Sequence, residues 1–125
     1  MSRVVLVTGA TSGIGEATAR ALAEKGYKLI ITGRRAERLE ALKGELEERF
    51  GANVCVANFD VRERAQCEAA LEALPEEFAQ IDILVNNAGL ASGLEHLNEG
   101  ADEDWNAMID TNVKGLLYIL SLIHI

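Results

Sequence analysis

The chain has 125 residues, of which 49% are hydrophobic, and this length and composition predict one small domain with a hydrophobic core. Its formal net charge of −8 disfavours binding to nucleic acid or to an anionic membrane, so any phosphate must be bound by local groups. The cysteines and histidines lack the spacing of a metal site, and no signal peptide or membrane span is indicated. We therefore expect a cytoplasmic protein without a metal ion.

The N-terminal stretch contains the strongest pattern in the chain. Val4–Val7 is an unbroken apolar run, which predicts a strand buried on both faces. A glycine-rich turn follows, in which Gly9, Gly13 and Gly15 have the spacing G-x-x-x-G-x-G. Glycines allow the backbone to approach a ligand closely, whereas a turn used only for packing strand against helix is the alternative interpretation.

A helix is predicted directly after this turn. Residues 16–25 are rich in alanine and contain no glycine or proline, Ser12 can cap the helix, and Gly26 stands where a left-handed residue ends it. The first turn of a helix has unpaired N–H groups and a partial positive charge, which stabilise an anion. The strand, the glycine turn and the helix together predict a phosphate-binding site.

Four apolar runs alternate with helical patterns, as is typical of parallel βαβ units. The predicted strands are Val4–Val7, Lys28–Thr32, Val54–Ala57 and Ile81–Val85. The later helices are predicted over Ala36–Arg49, over Glu63–Leu74 and from about Asp102. Right-handed crossovers then give an α/β fold, a Rossmann-type doubly wound parallel sheet with strand order 3-2-1-4 and helices on both faces. Strands one and four meet at the crevice where such sheets bind ligands.

The last predicted helix carries an apolar stripe. Its members are Trp105, Met108, Ile109, Val113, Leu116, Leu117 and Leu120. Asn112 falls on or beside this stripe. We expect the complete protein to form a homo-oligomer through this helix.

The residues after the second strand predict which dinucleotide is bound. An acid at this point binds a free ribose 2′-hydroxyl, but residues 32–35 read Thr-Gly-Arg-Arg, and the first acid is Glu37. Guanidinium groups complement a 2′-phosphate through charge-assisted hydrogen bonds. We therefore predict NADP rather than NAD, with Arg34 and Arg35 as the discriminating residues, and ordinary surface charge is the alternative.

The ordered motifs resemble the classical short-chain dehydrogenase/reductase family over essentially the whole chain. Residues 8–15 match its fingerprint T-G-x-x-x-G-I-G, Asp60-Val61 its adenine-binding region, Asn86–Gly89 its N-N-A-G motif, and Asn112 its active-site asparagine. Besides the two arginines, the resemblance implies cofactor binding by Gly9, Thr11, Ser12, Gly13, Ile14, Gly15, Asp60, Val61, Asn87, Ala88 and Gly89.

The resemblance also implies hydride transfer between NADP(H) and an alcohol or carbonyl substrate. In that family a tyrosine is the acid/base, a lysine four residues later lowers its pKa, a serine polarises the substrate, and an asparagine organises a relay water. Only Asn112 matches here, because Tyr27 and Tyr118 are followed four residues later by Ile31 and Leu122. We therefore expect this chain to be inactive by itself.

Residues 32–35, 81–89 and 104–115 further resemble the bacterial NADP-dependent 3-hydroxy acid (serine or allo-threonine) dehydrogenases. We interpret residues 1–125 as the NADP-binding, N-terminal part of a longer single-domain enzyme. Two alternatives stay open. One is a non-catalytic NADP-binding or subunit-pairing module, and the other is a sugar-nucleotide epimerase of the extended branch, which shares the fold.

Overall fold

A computed structural model of the protein describes residues 3–11, 13–88 and 101–123. The strands are β1 (Val4–Thr8), β2 (Lys28–Gly33), β3 (Val54–Asn58) and β4 (Ile83–Asn86). The α-helices are α1 (Gly13–Glu24), α2 (Ala36–Phe50), α3 (Arg64–Glu72), α4 (Glu76–Ala79), α5 (Asp102–Ile109) and α6 (Leu116–Leu122). A π-helical stretch, Asp110–Gly115, joins α5 to α6 and is called the π segment below.

The strands form one parallel sheet with the order β3-β2-β1-β4. All of β1 is buried, and Val5 is paired with Leu29 on one side and with Ile83 on the other. The Rossmann-type parallel sheet and its predicted strand order are therefore confirmed. The sequence pattern is explained by this arrangement, because a central parallel strand has helices on both faces and needs apolar residues throughout.

Alternate residues of the strands pack against different layers of helices. Val5, Val7, Leu29 and Ile31 face α1 and α2, whose buried residues include Ala19, Leu39, Leu42 and Leu46. Val4, Leu6 and Ile30 face the other layer, with Cys67 of α3, Phe78 of α4 and Ile119 of α6. The leucines on one face of α2 are thus in the core.

The start of β4 differs from the prediction by two residues. Ile81 is buried but precedes the strand, which begins at Ile83. The backbone N–H of Asp82 donates to the carbonyl of Val4 at 2.9 Å, and its carboxylate accepts from the N–H of Val4 at 2.8 Å. The N–H of Val4 is therefore bonded to a side chain instead of to the backbone of β4. A pattern of apolar residues cannot show that a side chain takes this position.

Helix ends follow the local sequence more closely. Gly26 has φ +87° after α1, as predicted, and Gly51 has φ +62° after α2. The predicted third helix ends earlier, at Glu72, and Pro75 is the N-cap of the short helix α4, which was missed. Pro75 suits a helix start because proline has no N–H to leave unpaired, and Phe78 anchors the turn in the core.

The prediction of one uninterrupted last helix was wrong. The π segment interrupts it, and because a π turn contains an extra residue, the buried face shifts in phase after it. Gly115 and Ile119 face the core, while residues of the predicted stripe stay exposed, including Val113 at 50% and Leu117 at 56%. In the part of the chain that is described, no helix is long and apolar enough to cross a membrane.

Candidate functional site

The turn after β1 is shaped by glycines that cannot carry a side chain. Gly9 and Gly13 have φ of +62° and +48°, a region that L side chains rarely adopt. A Cβ on Gly9 would stand 2.9 Å from the Cα of Ala88, and a Cβ on Gly15 would stand 2.0 Å from the carbonyl oxygen of Gly9. The start of α1, the turn and the end of β4 are therefore in backbone contact.

Thr8 joins the end of β1 to the residues at the end of β4 with its hydroxyl group. Its Oγ1 donates to Oδ1 of Asn86 at 3.1 Å and accepts from the N–H groups of Asn87 and Ala88 at 2.9 and 3.0 Å. Nδ2 of Asn87 donates to the carbonyl of Gly9 at 3.2 Å. Sequence reasoning gave Thr8 no role, although a threonine that ends an otherwise apolar buried strand is a signal for a buried hydroxyl with partners.

Arg34 and Arg35 lie exposed at the carboxyl end of β2, immediately before α2. Within residues 3–11, 13–88 and 101–123, neither guanidinium forms an ion pair with a carboxylate. Positive charges at a helix N-terminus oppose the helix dipole, so this placement is unfavourable without an anion. Gly33 before them is closely packed, because a Cβ there would stand 3.1 Å from Cγ2 of Thr11, which would have to shift by a few tenths of an ångström.

Asp60, after β3, forms a close ion pair with Arg62. Nη2 and Nε of Arg62 donate to Oδ2 of Asp60 at 2.7 and 3.0 Å. Burial by itself would raise the pKa of Asp60, but the Arg62 hydrogen bonds and the charges of Arg62 and Arg34 hold that pKa below its usual value. The carboxylate is therefore ionised and compensated at neutral pH.

Val61 connects this end of β3 to the π segment. Val61 is buried, and a Cβ on Gly115 would stand 2.8 Å from its Cγ2. Thr111, in the first turn of the π segment, lines the same cleft as Val61. The close approach of Gly115 therefore brings the π segment to the rim of the cleft.

The acid nearest the glycine turn is also compensated. Glu16, in the first turn of α1, is paired with Arg20, whose Nε donates to Glu45 of α2 at 2.6 Å. The hydrogen bonds with Glu45 and Glu16 raise the pKa of Arg20, and the bond with Arg20 lowers the pKa of Glu45. These partly exposed pairs fasten α1 to α2 beside the turn.

One cleft of about 190 Å³ collects residues from all four strand ends. Of the predicted site residues, it is lined by Gly9, Thr11, Arg34, Arg35, Asp60, Val61 and Ala88. Thr32, Gly33, Phe59 and Thr111 also line it and were not predicted. Thr32, Gly33 and Phe59 adjoin predicted residues at the ends of β2 and β3, so they could have been predicted from the parallel topology. The position of Thr111 depends on the irregular last helix and could not.

Other predicted residues lie beside this cleft and do not line it. Gly13, Ile14 and Gly15 form the first turn of α1, and Ile14 is 77% exposed. Among the residues that the structure describes, no atom lies within 4 Å of the position that a Cβ on Gly13 would take. Asn87 supports the turn from behind through its bond to Gly9.

The remaining predicted residues do not line the cleft or lie outside the described residues. Asn112 lies exposed in the π segment, next to Thr111. Ser12 and Gly89, both predicted to bind the cofactor, lie outside the described residues. The described residues hold no group of three or more metal-ligating side chains.

Comparison with known proteins relates the whole cleft to one family. A family model for short chain dehydrogenase matches residues 3–124. The NADP-dependent 3-hydroxy acid dehydrogenase YdfG of Salmonella typhi is 56% identical over 116 residues, which are 93% of this chain and 45% of the relative. The serine 3-dehydrogenase of Agrobacterium fabrum is 53% identical over 119 residues, which are 95% of this chain and 46% of the relative.

Solved structures show the same architecture. The closed form of a serine dehydrogenase complexed with NADP+ superposes with a TM-score of 0.89 at 52% identity, covering 96% of this chain and 47% of that one. The chain therefore spans about half the length of the curated relatives it matches.

Proposed function

Since the chain belongs to the short-chain dehydrogenase family, we propose that its cleft binds NADP and that it serves an oxidoreductase acting on a hydroxyl or carbonyl group. The observation that carries this proposal is the position of Arg34 and Arg35. Both line the cleft that begins at the glycine turn, and neither has a carboxylate partner among the described residues. A 2′-phosphate provides the anion that these guanidinium groups lack.

The residues present fit such a dinucleotide. Gly9 and Gly15 leave no space that a side chain could fill, which brings the N–H groups at the start of α1 close to the cleft. The diphosphate would be held at this turn, the 2′-phosphate by the two arginines, and the adenine beside Asp60 and Val61. The contributing residues would be Gly9, Thr11, Ser12, Gly13, Ile14, Gly15, Arg34, Arg35, Asp60, Val61, Asn87, Ala88 and Gly89.

When bound, the nicotinamide supplies the hydride donor or acceptor. The described residues of this chain bind and orient the cofactor. Tyr27 packs against the core on the α1–α2 side, and Tyr118 of α6 lies with its ring 5.9 Å from the guanidinium of Arg64, so neither lines the cleft. Of the family's catalytic residues we assign only Asn112, and we expect NADPH binding without turnover from these 125 residues alone.

The relatives support a substrate class. Both named relatives act, by their names, on compounds with a hydroxyl at the third carbon of an acid. We propose the same class for the complete protein, which favours a dehydrogenase over the epimerase alternative. The non-catalytic module shares the NADP site and differs only in turnover. Oxidation of serine or 3-hydroxybutyrate with NADP by the complete protein, and not by these 125 residues alone, therefore distinguishes the two.

The exposed face of the last helix supports a homo-oligomer of the complete protein. Ile109, Val113, Leu117 and Leu120 are each at least half exposed. A contiguous apolar face of this kind is typical of a protein interface. The double substitution Leu117→Glu and Leu120→Glu should yield monomers in light scattering without loss of the fold, and a monomeric unsubstituted protein would contradict this part of the proposal.

Cofactor titration tests the proposed function directly. We expect NADPH to bind more tightly than NADH, and the variants Arg34→Ala and Arg35→Ala to reduce this preference by on the order of tenfold or more each, because each removes a charge-assisted contact. The control is Arg49→Ala, which removes the same side chain from the opposite end of α2 and should leave the preference unchanged. Equal affinities for both cofactors, or an unchanged preference in both variants, would overturn the proposal.

A further inference from the structure

A carboxylate stands in the cleft that is proposed to bind a phosphate. Asp60 lines this cleft together with Arg34 and Arg35, and its side chain keeps 16% of its surface exposed. An ionised carboxylate repels a phosphate dianion, and it also attracts any guanidinium that the phosphate needs. The preference for NADP therefore depends on how the charge of Asp60 is compensated.

Arg62 compensates this charge through hydrogen bonds to both carboxylate oxygens of Asp60. Its backbone N–H and its Nε donate to Oδ1 of Asp60 at 3.0 and 3.1 Å, and its Nε and Nη2 donate to Oδ2 at 3.0 and 2.7 Å. These contacts use about as many acceptor positions as a carboxylate offers. Arg62 itself does not line the cleft, so its guanidinium acts from behind the carboxylate.

Further acids near this pair favour the charged form of Arg62. Glu63 and Asp110 of the π segment add to the effect of Asp60 and raise the pKa of Arg62 further. Asp110 also pairs with Lys114 at 3.5 Å. Arg34, by contrast, influences Asp60 only through its charge, without an ion pair.

We propose that Arg62 is a specificity-determining positioning residue, which holds the Asp60 carboxylate so that it neither repels the 2′-phosphate nor captures Arg34. Without Arg62, the unpaired carboxylate would lie in the same cleft as the guanidinium groups of Arg34 and Arg35, and the charge of Arg34 already acts on it. Arg34 would then bind Asp60 in competition with the phosphate. This inference rests on the proposed function, because it concerns the choice between NADP and NAD.

The test compares the affinities of NADPH and NADH in the variant Arg62→Gln. We expect the preference for NADPH to fall by about tenfold, mainly through weaker NADPH binding, since NADH has no 2′-phosphate to be repelled. The matched control is Arg64→Gln, which removes the same charge two residues further on, where Arg64 is 58% exposed and pairs with Glu68. This control should keep the preference of the unsubstituted protein.

The double variant Asp60→Asn/Arg62→Gln separates an indirect role from a direct one. If Arg62 acts through Asp60, removing the carboxylate restores the preference for NADPH. If the double variant stays as indiscriminate as Arg62→Gln, Arg62 contacts the phosphate itself and the proposal is overturned. Should Arg62→Gln fail to fold, Arg62→Lys replaces it, with a smaller loss expected in the same direction because lysine keeps the charge but not the fork.

The outcomes for this inference and for the proposed function differ. An unsubstituted protein that does not prefer NADPH overturns both. An unsubstituted protein that prefers NADPH, with an Arg62→Gln variant that retains this preference, overturns only the role of Arg62.

Discussion

The glycine turn after β1 and the π segment both bring a glycine against the rim of the same cleft, but they are encoded differently. In the turn, Gly15 meets the backbone of Gly9, which is close in the chain. In the π segment, Gly115 meets Val61, which belongs to a distant part of the chain. The first contact is a local requirement of the turn, and the second is a product of tertiary packing.

This difference has an energetic consequence. A Cβ on Gly15 would meet rigid backbone at 2.0 Å, whereas a Cβ on Gly115 would meet mainly a valine side chain at 2.8 Å. Backbone in a buried turn cannot yield without breaking hydrogen bonds, but a side chain can move by a few tenths of an ångström. The turn should therefore tolerate almost no change, and the π segment should tolerate some.

The largest effect is expected from Gly15→Ala. The new methyl group must separate the start of α1 from the turn, and we expect a loss of about 3 kcal/mol in the free energy of unfolding. NADPH affinity should fall together with stability, because the N–H groups at the helix start move away from the cleft. Denaturant unfolding and cofactor titration measure the two effects.

Gly44→Ala is the matched control for this substitution. Gly44 lies inside α2 and is exposed, and in the described part of the chain no atom lies within 4 Å of the position of a new Cβ. Alanine should stabilise the protein there by ~0.5–1 kcal/mol, because glycine is the weaker helix former. If Gly15→Ala were as harmless as Gly44→Ala, the close contact at the turn would not exist in solution.

The same distinction explains how much of the fold was predictable. Val4–Val7 is apolar because it is central in a parallel sheet, so pattern, position and burial agree. The strand order followed from right-handed crossovers and needed no side-chain detail. The start of β4 was missed because the carboxylate of Asp82 takes a ladder position, and α4 was missed because one buried residue, Phe78, anchors it.

The same distinction between local sequence and tertiary packing applies to the residues of the candidate site. The residues of the turn and the arginines after β2 could be predicted, because local spacing and charge carry the information. The partners of the Thr8 hydroxyl and the position of Thr111 could not, because each depends on contacts between separate segments. The pair of Arg62 with Asp60 joins residues two apart in the chain, and it was not predicted. The roles of the predicted binding residues stay predictions until the titrations above are made.

Gly115→Ala should have the intermediate effect. Alanine gains up to about 1 kcal/mol of helix propensity over glycine, but the contact with Cγ2 of Val61 costs more, so we expect a net loss of about 1 kcal/mol. Unfolding experiments on the single variant measure this loss.

The variant Val61→Ala provides the matched background. It removes the methyl group that the new Cβ would meet, so Gly115→Ala should become neutral or slightly stabilising there. A loss of the same size in both backgrounds would show that the π segment is not shaped by Val61.

The smallest effect is expected from acidification, and it should act on the π-segment side of the cleft only. The pKa of Asp60 is depressed in the folded protein, so its stabilising contribution is present above the unfolded-state pKa of about 3.9 and is lost as the pH falls through the lower folded-state value.

Because the Arg62 side chain is 32% exposed, solvent screens its pair with Asp60, and we expect this pair to contribute only ~0.5 kcal/mol to the free energy of unfolding. Asp60→Asn should therefore be less stable than the unsubstituted protein at pH 6, and the difference should shrink as the pH falls through the depressed folded-state pKa of Asp60, because the carboxylate is then protonated. Amide exchange should show this loss at Val61 and in residues 110–115, with the turn at residues 8–11 unaffected. A difference between the two proteins that does not change with pH, or equal loss of protection at the turn, would contradict the separation of the two regions.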